Sequence, residues 1–253
     1  MALFGTGCPV DERERTWIQD NMAWLRAQFG DGPLTAPVIL PTSAWFPPPF
    51  SGSEADVRAV VTRVAGYMGA RPDVRVRFSD EHDHMAGLRD AYGGPGRSFA
   101  LGEYRQAGDA GAVITIERSN LRDPARLLAT VAHELGHARL RGEDRVTGGR
   151  ADEEPLTDLA TVYLGMGIFT ANAAFEFTAR RESGARTGGW SSSRSGYLTE
   201  QMFGYGLACL AVQRAERQSP WTRYLDTNPR AYLKQGLRYL RGDAAARAAL
   251  AAP

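Results

Sequence analysis

Several things are scarce in this chain, and each scarcity closes off a class of protein. Two cysteines in 253 residues, Cys8 and Cys209, cannot build a disulfide framework. Charge of one sign is missing too. Thirty Lys and Arg against 29 Asp and Glu leave a formal +1, with the arginines scattered, so neither nucleic acid nor an acidic membrane is expected as a partner. No apolar run approaches the roughly 20 residues that a membrane-crossing helix needs. The opening residues, MALFGTGCPVDERER, lack the basic region and apolar run of a signal peptide, and Gly7-Cys8 has no such segment ahead of it. A cytoplasmic protein is the expectation. Histidine is rare as well, at four residues, and two of those stand at positions that chance seldom supplies.

Those two lie in Asp123 to Gly142, DPARLLATVAHELGHARLRG. Asp123 suits an N-cap, Pro124 the first helical position and Gly142 the end, while Leu128, Val131 and Leu135 form an apolar stripe at the helical period. On that helix His133-Glu134-Leu135-Gly136-His137 reads H-E-x-x-H. Histidines four apart project from one face towards a common point, and Glu134 between them can reach a water held by a metal there. Among the remaining histidines, His82 and His84 sit in a charged stretch, EHDHM, for which a solvated loop is expected.

A catalytic zinc takes three protein ligands and keeps a further position for water. Glu154, 17 positions past His137, is the best third ligand. Asp158, four residues on, can accept the other ring N–H of a ligand histidine and fix its orientation. Glu153 is about 100° further round a helix and is expected to point elsewhere. Should Glu154 not serve, Asp152, His82 and His84 are the next ligand candidates. Tyr197, Tyr205 and Arg194, near a Gly/Ser-rich loop over 184–195, are candidates to stabilise an oxyanion, with Tyr197 placed first. Cys209 in GLACLAV reads as a core residue, and Cys8 as a terminal residue that in principle could fold back onto the metal.

The rest of the chain reads as an α+β protein, mainly helical with a small mixed sheet beside the histidine helix. Helices are expected over 11–29, from Ser53 to about Met68, from Glu154 through FTANAAFEF, over 197–217 and from an Asn228-Pro229 cap to Leu240, with an alanine-rich frayed tail. Strands are expected at Val74 to Phe78, Phe99 to Gln106 and Ala112 to Glu117, the last two as a hairpin. The edge of the strand 112–117, just before the histidine helix, is a candidate to receive an extended peptide. Leu40 to Gly52, LPTSAWFPPPFSG, is too proline-rich for a helix or central strand. It is expected to run extended with Trp45, Phe46 and Phe50 tucked inward, or to form a substrate-groove wall. The organisation expected is an N-terminal helix and extended segment, 1–52, packed on a domain over 53–253.

With H-E-x-x-H at 133–137 and Glu154-Pro155-Leu156-Thr157-Asp158 downstream, the chain resembles the gluzincin metallopeptidases, whose pattern is H-E-x-x-H followed by E-x-x-x-D. The match covers roughly 112–170, and Pro155 inside the second element departs from the common pattern. The resemblance implies a zincin-like fold and one Zn²⁺ per chain on His133, His137 and Glu154. It also implies Glu134 as general base, Asp158 behind the ligands and a peptide or protein substrate. The other readings are hydrolysis of a non-peptide amide, or a binding module whose metal site is vestigial.

Overall fold

The computed structural model describes residues 7–71, 74–80, 102–106, 112–147, 150–174 and 197–251. His82, His84, Arg194, the turn expected at 93–96 and the Gly/Ser-rich loop lie outside these residues. Helix α1 (Glu12–Phe29) starts on Asp11, whose carboxylate accepts from the Glu14 N–H while Glu14 reaches back to the Asp11 N–H. Helix α2 (Glu54–Met68) starts the same way on Ser53 and Asp56. Hydrogen bonds from Ser51 and Ser53 hold the Asp56 carboxyl down at about 2. Between the two helices the proline-rich segment makes neither helix nor strand, as its composition requires. Trp45 and Phe46 both pack edge-on to Tyr67, and the Tyr67 hydroxyl donates to the Trp45 carbonyl at 2.6 Å.

Strands β1 (Arg75–Ser79), β2 (Gly102–Gln106) and β3 (Ala112–Glu117) form one mixed sheet in the order β1-β3-β2. β2 and β3 are antiparallel, as expected, whereas β1 runs parallel to β3 with Val76 opposite Ile114. The central position of β3 corrects one expectation. Both of its sides are already paired, so it has no edge for a peptide; among the described residues the outer edges belong to β1 and β2. Val76, Ile114, Ile116 and Tyr104 share one face and are buried beneath the helices.

After a 3₁₀ turn (Arg118–Arg122) comes the histidine helix α3 (Pro124–Leu140), capped by Asp123. The next helix, α4 (Glu153–Tyr163), crosses it closely. Gly136 makes this possible, because a Cβ there would lie 2.8 Å from Thr157 Cγ2 and 3.2 Å from the Thr157 carbonyl. The long helix expected from Glu154 is in fact broken. Gly165 takes φ +90°, a conformation that favours glycine, and a separate helical segment, α5, spans 167–174. The apolar residues are buried on both sides of the break, so periodicity alone does not reveal it.

Helix α6 (Glu200–Gln213) begins on Thr199, and α7 (Thr227–Gly242) begins on Asp226, which places Asn228 and Pro229 inside its first turn rather than at the cap. The tail is not frayed. Residues Ala244–Ala251 form α8, with Ala246 and Leu250 buried in the core and the helix packed against α1. The result is an α+β protein, mainly helical. Among the described residues no helix is long and apolar enough to cross a membrane. The Gly136 contact gives the first testable outcome. Gly136→Ala should destabilise the protein by about 1–3 kcal/mol through overpacking against Thr157, read from urea unfolding; an unchanged midpoint would show that the two helices separate freely.

Candidate metal centre

Helix α3 presents His133 and His137 on one face, their ring centroids 4.9 Å apart and both side chains buried. Helix α4 meets that face with its first turns. Glu154 and Asp158 both lie in α4, four residues apart, so Pro155 falls in the first turn, where its missing N–H breaks no helical bond. Glu154 Oε2 stands 3.1 Å from His133 Nε2 and 3.5 Å from His137 Nε2. One ligand atom from each of the three residues lies within 4.8 Å of the others.

The two outward-facing ring nitrogens are held by oxygen. His133 Nδ1 lies 2.8 Å from Asp158 Oδ1, and Asp158 Oδ2 accepts the backbone N–H of Leu198 at 3.0 Å. Holding Leu198 places Tyr197 beside the site, its ring centroid 5.2 Å from that of His133. His137 Nδ1 faces two oxygens, Thr157 Oγ1 at 3.3 Å and Glu153 Oε1 at 3.4 Å. Thr157 spends its own hydroxyl proton on the Glu153 carbonyl, leaving its oxygen to accept. With Nδ1–H donated outward, Nε2 is the atom on each ring that faces Glu154 Oε2, offering a lone pair to an ion or, without one, an N–H to the carboxylate.

This donor set fits a zinc ion. Bonds of about 2.0–2.1 Å at tetrahedral angles put neighbouring ligand atoms about 3.3 Å apart, between the two separations found here. In the absence of an ion, protons do the same work. Burial alone would push the His133 pKa down, but hydrogen bonds to Asp158 and Glu154 outweigh it and hold the value well above the ordinary 6.5. His137 is raised against the same burial by Glu153 and Glu154. Glu154 answers in the opposite sense: burial would raise its carboxyl, and the two imidazoles hold it far below 4.5. Glu153 is lowered by His137 first and by Arg141 as well.

Glu134, on the same helix one residue beyond His133, is buried too. Glu154 is the open member, its side chain 42% exposed against 10% and 9% for the two histidines. Three further residues join the site that the sequence did not single out for it. Glu153 is turned to the outer nitrogen of His137 rather than away, a correction: its offset of about 100° from Glu154 takes it off the inner nitrogens but onto Nδ1. Thr157, four residues on, shares its face. Tyr104, from β2, stacks on His137 at 6.3 Å and 15°, and no local pattern links residues so far apart in the chain. Other candidates belong elsewhere. Tyr205 is fully buried and accepts from Gln19 Nε2 at 2.8 Å, so it packs α1 against α6. Asp152 is bound to Trp17 and Arg150. Cys8 is half-buried beside Tyr205, where burial pushes its thiol up, and Cys209 is in the core. Phe46 and Phe169 line a cavity of about 670 Å³ with Pro41, Leu128 and Asp226. None of His133, His137 and Glu154 is among the residues lining it, so the proline-rich segment walls a separate space.

No protein-family model, no curated protein and no solved structure matches this chain.

The shifts fix a pH dependence. Raised histidines stabilise the ion-free protein fully below about 6.5, and that contribution is lost as pH climbs through their folded values. Lowered Glu153 and Glu154 contribute above about 4.5, and that part is lost as pH falls through theirs. A bound ion replaces the protons on the rings, so its own stabilisation grows with pH. Thermal unfolding with chelator should therefore show a midpoint that declines from pH 6.5 upward, while the same series with zinc should hold or rise. Parallel curves would remove the histidines from the ion's coordination.

Proposed function

We propose that this chain is a zinc-dependent peptidase of zincin-like fold, similar to the gluzincins, with one ion held by His133, His137 and Glu154. The observation that carries this reading is the convergence of two Nε2 atoms and one carboxylate oxygen. Both Nδ1 atoms are tied back by oxygens, and a further buried carboxylate, Glu134, lies on the same helix. Two nitrogens and one oxygen are a donor set that suits zinc, and three ligands are the number that a hydrolytic site uses. An ion held there supplies a Lewis acid that acidifies a water and polarises a substrate carbonyl.

The side chains do the rest. Glu134 accepts the proton that the attacking water gives up, then delivers it to the leaving amine nitrogen, so one carboxylate serves as base and then as acid. Asp158 fixes the His133 ring, while Thr157 and Glu153 fix His137; both imidazoles keep their Nε2 lone pairs inward through the cycle. Tyr197 offers its O–H to the oxygen on which negative charge develops. The substrate lies extended along the outer edge of β2, the strand whose Tyr104 packs on His137, with backbone hydrogen bonds setting its register.

Two sets of variants test this. Glu134→Gln should bind zinc as the parent does and lose about 10²–10⁴-fold in cleavage of a mixed peptide pool, since a carboxamide cannot take up the proton. Cleavage near the parent rate would dismiss Glu134 as base, and chelator-insensitive cleavage would dismiss the ion.

His133→Ala, His137→Ala and Glu154→Ala should each abolish stoichiometric zinc binding, measured by titration with a chromophoric chelator. Glu153→Ala should weaken it by about 10–100-fold, as loss of a group that orients a ligand does. If Glu153→Ala abolishes binding and Glu154→Ala does not, the third ligand is Glu153.

A further inference from the structure

Helix α4 starts in an unusual way. Asp152 occupies its N-cap, a position where aspartate ordinarily accepts an N–H from the second or third helical residue, yet here its side chain caps nothing. The third residue of α4 is Pro155, which has no N–H to give, so of the two usual donors only Glu154 remains. The Asp152 carboxylate is instead used across the molecule. Its Oδ2 accepts the indole N–H of Trp17 on α1 at 2.8 Å and Arg150 Nη2 at 2.9 Å, while Oδ1 pairs with Arg150 Nε. Arg150 also donates to Asn21 Oδ1 at 3.2 Å and lies over the Trp24 ring, 5.7 Å from its centroid. Trp17, Asn21 and Trp24 follow the i, i+4, i+7 spacing that lines up one face of α1, and Asn21 Nδ2 is itself fixed to the Trp17 carbonyl at 2.8 Å.

The two residues that follow this anchored turn are Glu153 and Glu154, the carboxylates at His137 and at both Nε2 atoms. We propose that Trp17, acting through Asp152 and Arg150, is a positioning residue of the metal centre: α1 sets the start of α4, and with it the place of Glu154 between the two imidazoles. This rests on the metal-site reading above and adds that the N-terminal helix governs how well the site holds its ion. Trp17 touches neither ion nor substrate. A sub-ångström shift of the α4 start alters the Glu154 separations of 3.1 and 3.5 Å directly, because the ligand lies only two residues beyond the anchor.

Cobalt(II) is the probe, because its visible absorption reports coordination geometry and its titration reports affinity without any turnover. Trp17→Phe keeps the ring and removes only the N–H. It should fold with a near-parental melting temperature, bind Co²⁺ about tenfold more weakly and shift the absorption bands, as loss of a group that orients ligands does. Asp152→Ala should lose at least as much. The double variant should be no weaker than Asp152→Ala alone, since both changes break one linkage. A packing role alone would lower the melting temperature and leave the affinity and spectrum of the folded protein unchanged. Parental affinity and spectrum in Trp17→Phe overturn the proposal and leave the metal site standing, as do losses that multiply in the double variant. If the parent protein itself binds no Co²⁺, both readings fall. Arg150→Gln retains Trp17 and its hydrogen bond and should also weaken Co²⁺ binding several-fold. It serves as the deciding variant should the other two fold poorly, and parental affinity there overturns the proposal.

Discussion

Two imidazoles buried 4.9 Å apart on one helix make a demand that the neighbouring structure has to meet. Each ring carries two nitrogens, and a buried polar atom without a partner costs about 1–3 kcal/mol. Four buried ring nitrogens left unanswered would weigh heavily against packing α3 on its neighbours. Helix α4 answers all four with one face. Asp158 takes one outer nitrogen, Thr157 and Glu153 take the other, and Glu154 lies between the inner two. That face must come close, and the closeness depends on the missing side chain at Gly136. The same contact that packs α3 on α4 therefore fixes the separations at the centre, and packing and chemistry cannot be varied independently there.

Much of the site was legible in the sequence because its spacing is local. Histidines four apart on a helix, and carboxylates four apart on the next, are geometric statements that hold wherever the helices lie. Pairing the two helices required only that a buried imidazole find an acceptor. What the sequence could not convey is what arrives from a distance. Tyr104 reaches His137 from a strand whose register depends on β3, and nothing near position 104 signals that contact. Glu153 was set aside because it lies about 100° round the helix from Glu154. That offset does keep it from the inner nitrogens, but an imidazole has a second nitrogen, and the face shared by Glu153 and Thr157 meets His137 Nδ1.

The fold was legible in the same uneven way. Helices with strong caps, Asp11, Ser53 and Asp123, begin where those side chains predict, because capping is decided within a few residues. Two errors came from continuity and composition. The run from Glu154 to Phe177 is apolar on most sides, so the pattern carries straight over the turn at Gly165, where a left-handed φ ends one helix. The alanine-rich end lacks polar contrast and reads as a tail, yet Ala246 and Leu250 are buried and the segment packs against α1. A weakly patterned segment can still be ordered when a neighbour supplies the surface that its own sequence does not advertise.

The uneven exposure of the ligands bears on what kind of site this is. A structural zinc is ordinarily closed, with four protein ligands and no access for water. Here the two histidines are nearly sealed, while the Glu154 side chain is 42% exposed. Solvent therefore approaches from the Glu154 side. Among the described residues a fourth histidine, cysteine or carboxylate does not complete the set. Glu134 is buried on the same helix one residue beyond His133, and a purely structural site has no need of a base there. An open side, three donors and a further buried carboxylate support the proposed hydrolytic site over a purely structural one.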